Sequence, residues 1–397
     1  MTKRARRKNK ALAAPKIGVI IANTGTPAAP TPKAVKKYLG QFLMDRRICP
    51  MPWPVWWCLL HTVILRKRAK ASAAKYEEIW MPEGSPLNVI YGSLVRGLNE
   101  YYAERGLPVE VRAGMSYGKP SLKQAVKELK QAGCTQLVVL PMYPQTAYST
   151  VGSVTDALHK AVRRARWKYP VEVIEGYSED AVYVRAIAAS IRNAGFREDS
   201  NDRLLFSFHS IPLKDIEAGD TYELQTGATS LAVAGELGLD RRRWTISYQS
   251  RFDKGRTWLS PFTRPTLVRL AQAAEADSRL FIVCPNFSVD CLETLYDIPY
   301  ELEPLYRAAL AGEFVDADEE PGALENTGKT VASCHDEAHR DVFRTKRRQR
   351  AAEEYLRGSH ARQETEDDFI YVPCLNRSRA HVRVLTHLLA PYVGDEA

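Results

Sequence analysis

Cysteine is sparse and unpaired in this chain. Seven residues (Cys49, Cys58, Cys134, Cys284, Cys291, Cys334 and Cys374) are scattered over 397 positions, odd in number and without a CxxC pair. That spacing argues against a disulfide framework and a tetrathiolate zinc site, and it fits a reducing cytoplasm. Long apolar runs are missing too. The most apolar window, Trp53 to Leu65, is too short to span a bilayer and is closed by Arg66-Lys67-Arg68. It reads either as a buried helix or as an exposed apolar lip beside a hydrophobic ligand site. No apolar stretch follows the first basic residues, so no secretory signal is expected. Collagen, coiled-coil and mucin biases are absent, and Gly25 is not part of a GxGxxG motif.

What is present is an ordinary globular composition, 45% hydrophobic and 26% charged. The length suggests two compact units at about 150 residues each, plus appendages. The formal charge of +9 is partly local: Lys3, Arg4, Arg6, Arg7, Lys8 and Lys10 crowd the start. With no aromatic residues interleaved, residues 1–15 read as a solvated, disordered tail, and no nucleic-acid partner is expected.

Short β-branched runs alternate with helix-like stretches, which predicts an α/β fold with parallel sheets covered on both faces. Candidate strands are 17–22, 109–113, 137–140, 171–175, 204–208, 244–248 and 280–284. Polar or glycine-containing segments follow them in a repeating order, so two similar halves are expected, 16–170 and 171–312 plus 369–393, with a ligand cleft between them. Residues 313–368 lack strand character and are rich in charge. They read as an insertion, with Cys334, His335 and His339 as surface residues, before strand character resumes at Phe369.

Two motifs carry chemistry. His209 follows an apolar strand and precedes Ser210-Ile211-Pro212, which places the ring at the carboxyl edge of a sheet. A neutral imidazole there can accept a proton or bind a divalent metal, although a lone strand-end histidine is more often structural. In the second motif, Ser288 is a plausible N-cap. On a helix after it, Asp290, Glu293, Asp297 and Glu301 would form one acidic stripe opposite Val289, Leu292, Leu295 and Ile298. That stripe is either a solvated face or a row that conducts a metal ion or protons.

The segments 21–27, 84–87, 139–145, 206–212, 219–222, 248–252, 258–261, 290–295 and 373–376 together resemble the successive signatures of ferrochelatases, in the family's order. The resemblance implies two Rossmann-like halves around a porphyrin cleft and insertion of Fe2+ into the ring with release of two protons. By position it implies His209 as pyrrole proton acceptor and metal ligand, Glu293 as the opposing carboxylate, and Asp290, Asp297 and Glu301 as an acidic path. Thr24, Tyr117, Ser250 and Trp258 fall where the family touches the macrocycle. Fe2+ enters as substrate, and no organic cofactor is implied. Tyr148 stands where some relatives place a cluster cysteine, and only Cys374 remains near the carboxyl end, so no iron-sulfur cluster is expected. Protoporphyrin IX is the expected substrate, with coproporphyrin III as the alternative and a non-catalytic porphyrin or heme carrier as the reading from another class. Peripheral membrane contact through the Trp53 to Leu65 window is expected; the oligomeric state is left open.

Overall fold

The computed structural model describes residues 15–253, 255–275, 277–313, 315, 317 and 368–395. The basic tail up to residue 14, most of the 313–368 insertion, and Cys334, His335 and His339 lie outside the described residues.

The strands are β1 (Ile17–Asn23), β2 (Val109–Met115), β3 (Gln136–Pro141), β4 (Val171–Val173), β5 (Arg203–His209), β6 (Trp244–Gln249), β7 (Leu280–Val283) and β8 (Phe369–Val372). They form two four-stranded sheets, ordered β2-β1-β3-β4 and β6-β5-β7-β8, with every pair parallel. The second sheet repeats the topology of the first, as the sequence pattern predicts.

The helices before β2 are α1 (Pro32–Leu43), α2 (Trp53–Leu59), α3 (Leu65–Ile79) and α4 (Pro86–Glu104). After them come α5 (Leu122–Gln131), α6 (Ser153–Ala165), α7 (Ala181–Asn193), α8 (Leu213–Glu217), α9 (Tyr222–Glu236) and α10 (Thr263–Gln272). The last three are α11 (Leu292–Leu295), α12 (Glu303–Leu310) and α13 (Arg379–Val393).

The central strands β1, β5 and β7 are buried on both faces because alternate side chains enter different cores. Ile17, Val19 and Ile21 of β1 join Leu204, Phe206 and Phe208 of β5 in one large cluster. Ile20 and Ala22 face outward against α5 and α6, and Leu205 and Ile282 do the same in the second sheet. This double burial is why the strands read as continuous apolar runs.

One boundary differs from the sequence reading. The strand beginning at Val171 hydrogen-bonds beside β3, with Leu137 opposite Val171, and so completes the first sheet rather than opening the second half. Periodicity reveals a strand but not its partner, and the pairing belongs to tertiary structure. The helices that follow each sheet cross over: α7 packs on α9, and α13 packs on α7 and α4.

In an open parallel sheet of this order, the switch point lies between the two central strands, here β1 and β3 or β5 and β7. The loops leaving those strands at their carboxyl ends begin at Asn23, Pro141, His209 and Cys284. Two sheets thereby deliver four loops to one region.

Candidate active site

A cavity of about 2180 Å³ opens where those loops meet. Thr24, His209, Ser250, Trp258, Glu293, Asp297 and Glu301 all line it. The fold therefore gathers seven of the nine residues singled out in the sequence from segments far apart in the chain.

His209 is the last residue of β5. Its Nδ1 lies 2.7 Å from the Ser210 carbonyl oxygen. A carbonyl only accepts, so in the neutral ring Nδ1 carries the proton and Nε2 keeps its lone pair for a proton or a metal. The edge of Phe287 packs against the imidazole, with ring centres 6.5 Å apart. The Tyr222 hydroxyl donates to the His209 carbonyl at 2.9 Å, which pins the strand end.

Gln249 ties this histidine to the opposite motif. It is the register partner of His209 in the sheet, and its side chain is buried. Its Nε2 donates to the Glu293 carbonyl at 3.2 Å, while its Oε1 accepts from Ser207 Oγ at 2.5 Å.

The acidic stripe is built differently from the expectation. The α-helix covers only Leu292–Leu295, with Cys291 as an extended N-cap (φ −141°), and Asp297–Leu302 form a π-helical turn. Pro299 has no N–H to offer the preceding turn, and the chain around it winds more widely. Asp290 precedes the helix, is fully buried and does not line the cavity. Its carboxylate accepts from Tyr371 OH (2.5 Å), Asn376 Nδ2 (2.7 Å) and Thr294 Oγ1 (2.8 Å). Ser288 is no N-cap; its hydroxyl donates to the Met142 carbonyl at 3.0 Å. The motif thus splits into a buried anchor at Asp290 and a cavity-lining row of Glu293, Asp297 and Glu301.

Tyr117 also lies off the cavity wall. Its hydroxyl donates to Asp45, its backbone N–H donates to the Thr24 carbonyl at 2.9 Å, and its ring packs on Phe42. An apolar ring satisfied on all sides goes behind the loop it supports. Ser250 sits at a left-handed φ of 59°, and its hydroxyl donates to Asp297 at 3.2 Å. Trp258 Nε1 donates to the Asp253 carbonyl at 2.8 Å, and the Arg256 guanidinium covers its ring at 4.6 Å.

Electrostatics set this wall apart. Burial, aided by Glu301 and Glu293 and opposed by Lys75, pushes the Asp297 carboxyl up to about 7. Burial favours the neutral amine of Lys75, but the carboxylates of Asp297 and Glu301 outweigh it and hold the ammonium charged. The buried hydroxyls of Tyr38 and Tyr76 are raised by burial and further by Glu293, so they stay protonated donors. Among the described residues no group of three or more His, Cys, Asp or Glu could hold a metal ion.

The family model for ferrochelatase matches residues 16–319. The chain belongs to the ferrochelatase family. Similar relatives include the ferrochelatase of Thioalkalivibrio sulfidiphilus, 41% identical over 299 residues, covering 75% of this chain and 80% of that one. Those of Polaromonas sp. (40% over 296 residues, 75% and 80%) and Haemophilus influenzae (40% over 286 residues, 72% and 87%) are alike at the same level. As a ferrochelatase the chain is a lyase of heme and porphyrin biosynthesis, with a porphyrin and Fe2+ as its substrates.

Sequence reasoning missed several residues that this ferrochelatase cavity assembles. Gln249 lies inside a quoted segment, yet nothing local says that its amide reaches Glu293. Lys75 is one cation in the basic, mixed-charge helix α3 and carries no distinguishing signal. Tyr143 reads as part of a strand-end segment, whereas its hydroxyl accepts from the Thr24 backbone N–H at 2.8 Å and donates to Asn23 at 2.9 Å.

Proposed function

We propose that the chain converts protoporphyrin IX to heme, with His209 Nε2 accepting pyrrole protons and ligating iron, and Glu293 as the opposing carboxylate. Asp297 and Glu301 form the route along which Fe2+ approaches. One observation carries this reading: the free imidazole nitrogen and the three acids line one cavity at the carboxyl ends of both sheets. Free-base porphyrin must lose two pyrrole protons while the metal sheds water, so a base and exchangeable oxygen ligands serve on the same wall. Thr24, Ser250 and Trp258 supply ring contacts. Tyr117 acts through the Thr24 loop, and Asp290 acts by holding α11.

The choice of protoporphyrin over coproporphyrin III is supported by the Gly219–Tyr222 and Trp56–Trp57 regions, which resemble the protoporphyrin-using branch. The Trp53 to Leu65 window has both characters considered for it. Trp56, Leu60 and Leu65 are buried, while Trp53 (58% exposed), Val55 (61%), Trp57 (47%) and Val63 (49%) stand open. Such a ridge beside exposed Arg66 and Lys67 suits peripheral attachment to an anionic membrane face, where apolar product is handed on. No helix among the described residues is long and apolar enough to cross a membrane.

Anaerobic turnover of each porphyrin with Fe2+ tests the reading, comparing the native chain with His209→Ala and Glu293→Gln. Both variants are expected to bind porphyrin and lose insertion; insertion retained by either would remove that residue from its role. Preference for coproporphyrin III would reverse the substrate assignment. Changing Trp53 and Trp57 to Ser is expected to release the protein from anionic vesicles, and unchanged binding would exclude the ridge.

A further inference from the structure

Asp220 ties the two halves of the molecule together close to His209. Its side chain is buried and does not line the cavity. One carboxylate oxygen accepts from the Tyr148 backbone N–H at 2.6 Å, in the loop that follows β3. The other accepts from the backbone N–H of Tyr222, the first residue of α9, at 3.0 Å. The same loop and helix meet again at Gln225, whose amide oxygen accepts from the Thr146 N–H at 2.9 Å and whose amide nitrogen donates to Thr146 Oγ1 at 2.6 Å. From Tyr222 the connection reaches the site, because its hydroxyl donates to the His209 carbonyl at 2.9 Å.

The cavity wall is shared between the halves. Gln145, Ala147 and Thr150 line it from the first, and His209 stands at the end of β5 in the second. A base must lie within hydrogen-bond reach of the proton it takes, so a ring resting on the first half is served by His209 only if the two halves keep a fixed offset. A carboxylate suits that joint. It has an acceptor for each of the two N–H groups, and its charge sits favourably at the N-terminus of α9. An amide in its place would turn an N–H toward one of the two donors.

We propose that Asp220 is a positioning residue for the base. Its carboxylate fixes the N-terminus of α9 to the loop after β3, and through Tyr222 it sets where the imidazole of His209 stands relative to a porphyrin held against the first half. This inference rests on the reading of His209 as the pyrrole proton acceptor.

Anaerobic iron insertion by Asp220→Asn, Tyr222→Phe and the double variant tests it, with porphyrin affinity read separately by fluorescence quenching. Each single variant is expected to lower kcat roughly tenfold or more, while porphyrin affinity and the KM for Fe2+ stay within a few-fold. The double variant should be no slower than the slower single one, because both changes break the same connection. If Asp220→Asn does not fold, Tyr148→Pro removes the same N–H at the first position of the π-helical turn Tyr148–Gly152 and should reproduce the effect. Tyr148→Phe then measures the share due to the hydroxyl, which donates to the Ala218 carbonyl at 3.1 Å. Native kcat in Asp220→Asn, losses that multiply in the double variant, or a porphyrin affinity that falls as far as kcat overturns the role of Asp220. His209→Ala separates the two readings. If it keeps insertion, the base and this inference fall together; if it loses insertion while Asp220→Asn keeps native kcat, only the role of Asp220 falls.

Discussion

Asp290 and Asn376 hold each other through two reciprocal hydrogen bonds. The Asn376 amide nitrogen donates to the Asp290 carboxylate at 2.7 Å, and the Asp290 backbone N–H donates to the Asn376 side-chain oxygen at 2.9 Å. The pair joins the loop after β7 to the loop after β8, and Thr294 extends it into α11, where Glu293 sits. Asp290→Asn keeps the volume and removes the charged acceptor. It should cost about 2–4 kcal/mol of stability by urea unfolding, since it weakens several bonds to one buried carboxylate. Asp290 does not line the cavity, so on the proposed route for Fe2+ kcat should fall with the KM for Fe2+ nearly unchanged; a selective rise in KM would return this acid to the path.

Gln249 gives a sharper test of positioning, since its side-chain amide meets Glu293 at the backbone oxygen and not at the carboxylate. Gln249→Met, of similar volume, should lower kcat by roughly ten- to a hundredfold through displacement of Glu293 and the His209 strand end. Porphyrin affinity, read by fluorescence quenching, should stay within a few-fold. Native kcat in this variant would show that Glu293 is held by its helix alone.

Gly25 separates two reasons for glycine at positive φ. Its φ is +105°, and an added Cβ would lie 2.0 Å from the Tyr117 carbonyl oxygen. Gly106 has φ +66° with nothing within 4 Å of that position. Gly106→Ala should therefore cost only about 1 kcal/mol for backbone conformation. Gly25→Ala should cost at least about 2–3 kcal/mol, because the loop carrying Thr24 must also move. Equal thermal shifts for the two variants would contradict the close approach.

His381 should make stability depend on pH. It is buried on α13, donates from Nδ1 to the Asn376 carbonyl at 2.5 Å, and burial lowers its pKa to about 4. The unfolded chain takes up that proton near pH 6.5, whereas the folded chain resists it. The contribution to stability is therefore complete above about pH 6.5 and is lost as pH falls toward 4, by roughly 3 kcal/mol in all. Urea midpoints at stepped pH should fall more steeply for the native protein than for His381→Gln over that window, and parallel curves would refute the assignment.

The strands were legible because burial on both faces writes them as short apolar runs, and all eight strand regions recur in the structure. The place of His209 at the end of β5 on the cavity wall was legible for the same reason, since a strand end in a parallel sheet is a place as well as a conformation. Asp290 was misplaced because helical spacing assumes a helix. The extended Cys291 and the π-helical turn around Pro299 divide acids that periodicity had joined.

Two matching α/β halves, the family and most of the residues that line the cavity could be read along the chain, because apolar periodicity and local motifs are properties of neighbours in sequence. Only the tertiary structure decided that β4 closes the first sheet, that Asp290 and Tyr117 stand behind the wall, and that Gln249 and Lys75 reach the acids. Those outcomes depend on groups dozens to hundreds of positions apart, such as Lys75 and Glu301. Which of them meet is set by how the two sheets and their helices pack, and no local pattern encodes that.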